Sequence, residues 1–143
     1  MSAHIRAMID EPFRVASATA EIWRDAAQVV VDGLGLGGNG QGAPANLGFL
    51  YVSDLLAANA ADILKFMREK TGITHWVGTV GFGIIAGGQE FFDQPAICAM
   101  VANLPETAYR VFPKVSEGAS EMPGDIRAWA KASAPLFGIV HGD

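Results

Sequence analysis

The sequence predicts an α/β fold: a mixed β-sheet of about six strands with helices packed on it and one antiparallel hairpin. Three observations carry that prediction. Two apolar runs of strand length, NLGFLYVSD at 46–54 and PAICAMVANL at 95–104, lack the alternation of a half-exposed strand and read as strands buried on both faces. Two longer segments, 20–32 and 55–70, repeat apolar residues at helical spacing. Glycine-rich stretches at 33–43 and 78–88 punctuate these elements.

In the first segment, Ile22, Trp23, Ala26, Ala27, Val30 and Val31 share one helix face; Thr19 is expected to cap its start and Gly33 to be its left-handed stop. The stretch VVVDGLGLGGNG then spells G-x-G-x-x-G with Gly33, Gly35 and Gly38, and Asp54 stands near the distance of a ribose-binding acid. A dinucleotide fingerprint needs a strand before the glycines and a helix after them. Here a helix precedes and NGQGAPAN follows, so a flexible connection is expected instead of a phosphate site. After the strand at 46–54, Ser53 or Asp54 is expected to cap the helix 55–70. Leu56, Ala60, Ile63, Leu64 and Met67 form its apolar side, and Arg68, Lys70 and Gly72 mark its end.

HWVGTVGFGIIAGG, residues 75–88, reads as a strand whose glycines allow a close approach or a bulge. The run at 95–104 reads as a central strand, and AYRVFPKV at 108–115 as its antiparallel hairpin partner, with Pro113 marking an edge or the strand's end. A polar loop at 116–125 leads to a short helix at 125–134 with Ile126, Trp129 and Ala130 inward. LFGIVHGD is expected to be a further buried strand. Its position at the end of the chain suggests a single domain, 1–143, interrupted within its fold.

Composition narrows the function classes. Half of the 143 residues are hydrophobic, enough for a substantial core. Charged residues make up 17%, below the roughly 25% usual in soluble domains, and mean hydropathy is positive. Some apolar surface is therefore expected to be covered by a second copy or by the remainder of a longer protein. No apolar run approaches the roughly 18 residues of a membrane span. A net charge of −5 without a basic run argues against nucleic acid. The charged N-terminus MSAHIRAMIDEPFR lacks the apolar run of a secretory signal, and the lone Cys98 has no internal disulfide partner, so the cytoplasm is the expected compartment.

The chemistry-bearing candidates cluster at strand ends and in the glycine-rich strand. His75, Trp76 and the bare backbone at Gly78, Gly81 and Gly83 would suit a small anionic or zwitterionic ligand, with Glu90 on the same rim. Against that stands the plainer reading of Trp76 as core and of His75 and Glu90 as solvated polar residues. Ser53 and Asp54 lie where open α/β sheets collect ligands, though capping accounts for both. His141 and Asp143 could join His75 and Asp54 at one sheet edge, yet no metal-ligand spacing supports a metal there, and no cofactor is expected. Cys98, within the most apolar run, reads as a core hydrophobe, and no nucleophile elbow is present.

The runs NLGFLYVSD, HWVGTVGFGIIAGGQE, PAICAMVANLP and FGIVHGD, in that order, resemble the N-terminal domain of the FIST family, named for its occurrence in F-box and intracellular signal transduction proteins. The similarity covers roughly residues 13–143, and H-W-V-G-x-x-G followed by G-x-x-E is its most specific part. The resemblance implies a cytoplasmic sensory module for small molecules such as amino acids, and transfers no catalytic set. It places His75, Trp76, Gly78, Gly81, Gly83 and Glu90 in the family's glycine-rich stretch and His141, Gly142 and Asp143 in its H-G-D. It also implies a continuation past H-G-D, with a C-terminal FIST domain as a candidate cover for apolar surface. A small-ligand sensory module is the first expectation. A protein-protein interaction or scaffolding domain without ligand is the second, and an enzyme, which needs a geometric cluster such as Ser53 within hydrogen-bonding reach of His75, the third.

Overall fold

A computed structural model of the chain describes residues 13–36, 44–116 and 121–142. It divides into two compact units, Met1–Asn103 and Leu104–Asp143. The first unit holds β1 (Phe13–Thr19), α1 (Trp23–Gly33), β2 (Leu47–Ser53), a 3-10 helix (Asp54–Asn59), α2 (Ala60–Thr71), β3 (His75–Gly81), β4 (Gly83–Ala86), β5 (Gln89–Phe92) and β6 (Ala96–Ala102). Four strands form a mixed sheet in the order β1-β6-β2-β3, with β2 and β3 parallel and the other pairs antiparallel; β4 and β5 form a separate hairpin. The α/β class and its six strands thus match the expectation, divided four and two.

Strand alternation assigns the core. Leu50 and Val52 of β2, Trp76 of β3 and Ile97, Ala99 and Val101 of β6 join the buried helix residues in the main core. The opposite face of the sheet carries Tyr51, Ala96 and Cys98, which pack with Ile84, Ala86 and Phe91 of the hairpin. The two central strands are therefore covered on both sides, as their unbroken apolar character required. Burial of the Cys98 sulfur also raises its thiol pKa, which suits packing and not nucleophilic chemistry.

Helix α2 ends as anticipated: Gly72 is left-handed (φ +73°), and its N–H donates to the Arg68 carbonyl at 2.9 Å. Its start differs. The chain first makes the 3-10 helix, and neither Ser53 nor Asn59 uses its side chain as a cap. In α1 the stop also moves. Gly33 is the last helical residue and lies close under β1, where an added Cβ would approach the Ala16 methyl at 3.0 Å; Gly35 takes the left-handed turn (φ +62°). Thr19 belongs to β1 and does not cap α1, whose N-cap position is Ile22.

Arg14 of β1 secures the far end of that helix. Its guanidinium donates to the carbonyls of Leu34 (3.1 Å), Gly35 (3.3 Å) and Pro44 (3.2 Å), joining the exit of α1 to the chain entering β2. The last turn of α1 has no basic residue of its own, so this cation also meets the negative end of the helix dipole. Arg14→Met is expected to lower stability by about 1–2 kcal/mol. Arg14→Lys should recover only part of it, because a point charge cannot reach three carbonyls as a planar fork does. Urea unfolding midpoints test both, and equal midpoints for wild type and Arg14→Met would remove this role.

The hairpin expected at 95–115 lies instead at 83–92. Gly87 (φ +57°) and Gly88 (φ +78°) supply the two left-handed positions of its two-residue turn, while the predicted single strand 75–88 is broken in two at Phe82, between β3 and β4. Residues 108–115 form no strand. In the second unit, α3 (Gly124–Ser133) buries Ile126 and half-buries Trp129 and Ala130, the face anticipated. The Trp129 indole N–H donates to the Thr107 carbonyl at 3.2 Å, and Arg110 stacks 5.2 Å from its ring. The expected terminal strand is not formed over 136–142, where Leu136 is 97% and Val140 81% exposed. A strand needs a ladder partner, and none of the described residues supplies one there.

Candidate functional site

A cleft of about 270 Å³ lies on the helix-covered side of the first unit, where β3 forms the edge of the sheet and α2 begins. Leu50 and Val52 contribute from β2, Ala60 and Leu64 from α2, and Trp76 with residues 77–80 from β3. Trp76 is its principal fixed wall. The indole is buried and its Nε1–H donates to the Ile73 carbonyl at 2.9 Å, which pins the ring. It lies against Gly48, the residue opposite it in register, where any Cβ would overlap the six-membered ring. A glycine inside an apolar strand is the sequence signal that could have revealed this close approach, and Gly48 was not singled out for it.

Of the residues singled out from sequence, Trp76 and Gly78 meet at this cleft. The glycines have packing reasons of their own. The Gly78 backbone is turned so that a Cβ would overlap the Leu50 carbonyl oxygen, and Gly83 sits under the ring of Phe92, its cross-strand partner. Gly81 ends β3, where a Cβ would meet the Gly83 carbonyl oxygen at 3.3 Å. His75 is exposed at the start of β3, and strand alternation directs it to the face opposite Trp76. Glu90 is exposed on β5 opposite Ile85.

Ser53 is fully buried, and its Oγ accepts a hydrogen bond from the Ala96 N–H at 2.9 Å. The β2–β6 ladder stops at Val52 and Ile97, so the hydroxyl continues it by one position. Ser53→Ala would leave that buried N–H without a partner, and a loss of about 1–3 kcal/mol is expected in denaturant unfolding. An unchanged midpoint would refute the role. Asp54 is exposed at the first position of the 3-10 helix. Ser53 stands opposite Gly81, and His75 opposite Leu47, at the two ends of the same ladder. That places them roughly 20 Å apart along the strands, so these two side chains do not form the serine-histidine pair named as one example of a catalytic cluster. His141 is half-buried in the second unit; Asp143 lies outside the described residues, as does Gly38 of the glycine fingerprint. Among the described residues, no three His, Cys, Asp or Glu side chains are grouped to hold a metal ion, and no helix is long and apolar enough to cross a membrane.

None of the curated proteins and none of the solved structures matches the chain significantly. The sequence profile of the FIST N domain matches residues 46–143, which begin just before β2 and include β3 with both walls of the cleft. With more than half of its length matched, this chain belongs to the FIST family, and residues 46–143 are its FIST N domain.

Proposed function

We propose that this protein is a cytoplasmic sensory module that binds a small metabolite, an amino acid or a relative of one, in the cleft beside Trp76. The observation that carries the reading is an open concavity beside a pinned indole, at a sheet edge whose backbone groups are unpaired by any described strand. Membership of a signal-transduction family supports a sensory role. A ligand held at about a hundred times its Kd stabilises the native state by about 2.7 kcal/mol, which raises the melting temperature by several degrees. A metabolite screen by thermal melting is therefore expected to yield at least one stabilising compound. That effect should fall when Leu64→Trp fills the cleft. A broad screen that moves the melting temperature nowhere would end the proposal.

A second reading, an interaction domain, has its own support. The outer side of the hairpin and the residue before it expose Phe82 (87%), Ile85 (70%) and Phe92 (55%) together on one small element. A second copy covering this face would show as concentration-dependent sedimentation that Ile85→Lys abolishes. A monomer at every concentration would exclude it.

A further inference from the structure

Resting on the ligand reading above, the chemistry of the cleft can be taken one step further. We infer that the cleft prefers an uncharged, mainly apolar small molecule carrying one hydrogen-bonding group, such as a primary amide or an alcohol, over a free amino acid. Among the described residues, no ionisable side chain lines the cleft. The one lining hydroxyl among the described residues, that of Thr79, donates to the neighbouring Val80 carbonyl at 3.2 Å, and the Trp76 N–H is committed to Ile73. The indole therefore presents its carbon surface, and Leu50, Val52, Ala60 and Leu64 add only methyl and methylene groups.

The polar groups that remain belong to the backbone of β3. In a strand paired on one side, alternate residues turn both N–H and C=O outward, and β3 has β2 as its one described neighbour. Such groups are neutral dipoles. They match an amide or hydroxyl well, but give a carboxylate and an ammonium no counter-charge, so a zwitterion loses hydration without replacement. At about 270 Å³ the space falls just below the range of drug-sized pockets, which limits the occupant to a compact molecule with a branched or aromatic apolar end.

The test uses the full chain and probes matched in shape but not in charge: 4-methylpentanamide against leucine, and 3-phenylpropanamide against phenylalanine and 3-phenylpropanoate. Titrations are followed by the Trp76 indole N–H and the Gly78 and Val80 amides in nitrogen-15 correlation spectra, with the indole signal assigned through Trp76→Phe. The neutral amides are expected to bind at least tenfold more tightly than their charged counterparts. Ala60→Leu should weaken them, with Leu64→Phe as the second variant should the first alter folding. If the charged probes bind the same residues equally or better, the inference on charge falls while the ligand reading stands. If no probe binds at millimolar concentration and the metabolite screen is also silent, both are overturned.

Discussion

Gly78→Ala is expected to cost this protein at least about 3 kcal/mol of stability, more than any other single added methyl. The new Cβ would overlap the Leu50 carbonyl oxygen, with the Leu50 carbonyl carbon and nitrogen close behind, at a backbone φ of +157° that side chains rarely adopt. Nothing flexible can yield. Leu50 is the middle residue of β2, paired to β3 on one side and β6 on the other, so relief requires parting one of the two ladders. The melting temperature should fall by roughly 10 °C, and the amides of 47–53 and 75–81 should lose hydrogen-exchange protection together. Gly72→Ala is the control. Its φ of +73° is strained for alanine, but nothing lies within 4 Å of the added atom, so about 1 kcal/mol is expected. Equal effects at the two positions would contradict the close approach of β3 to Leu50.

Gly48→Ala should follow, at about 2–4 kcal/mol, through a different route. Here the obstacle is a side chain, the Trp76 indole, so the fold has an escape: the ring swings away, breaks its bond to the Ile73 carbonyl and moves within or out of the cleft. The expected signature is a changed near-ultraviolet tryptophan spectrum with far-ultraviolet dichroism retained, together with loss of any ligand effect. In a Trp76→Leu background the same substitution should cost much less, because the group it displaces is absent. Additive losses in the double variant would separate Gly48 from the indole and remove the physical basis of the wall.

The elements legible in the sequence were those whose burial is one-sided or complete. Helix α2 was legible because Ile63 and Met67 recur at helical spacing and both are buried, in step with Leu56 of the 3-10 helix before it, and Gly72 is the stop it was expected to be. β2 and β6 were legible because covering both faces leaves an unbroken apolar run. Strand β1 carries the reverse pattern. Its large residues Phe13 and Val15 are exposed, while Arg14, Ala16 and Ala18 lie on the helix side, where α1 comes so close that a Cβ at Gly33 would crowd the Ala16 methyl. Small and charged residues facing a core give no strand signal, and the element was missed.

The cleft was half legible. Trp76 and Gly78 stood out as an aromatic beside a bare backbone position, but Leu50, Val52, Ala60 and Leu64 looked like ordinary core and helix residues. They line a cavity because of the parallel pairing of β2 with β3 and the placement of α2, neither of which is a local property.

By itself, the sequence determined the α/β class, the central strands, the second helix and the family, since each rests on local periodicity or on motifs in order. Only the tertiary structure decided where the hairpin folds, what each glycine accommodates, and that Ser53 and His75 sit at opposite ends of one ladder. The reason is that a glycine looks the same in a sequence whether a turn, an indole or a neighbouring carbonyl requires it, and only packing between distant segments supplies that neighbour.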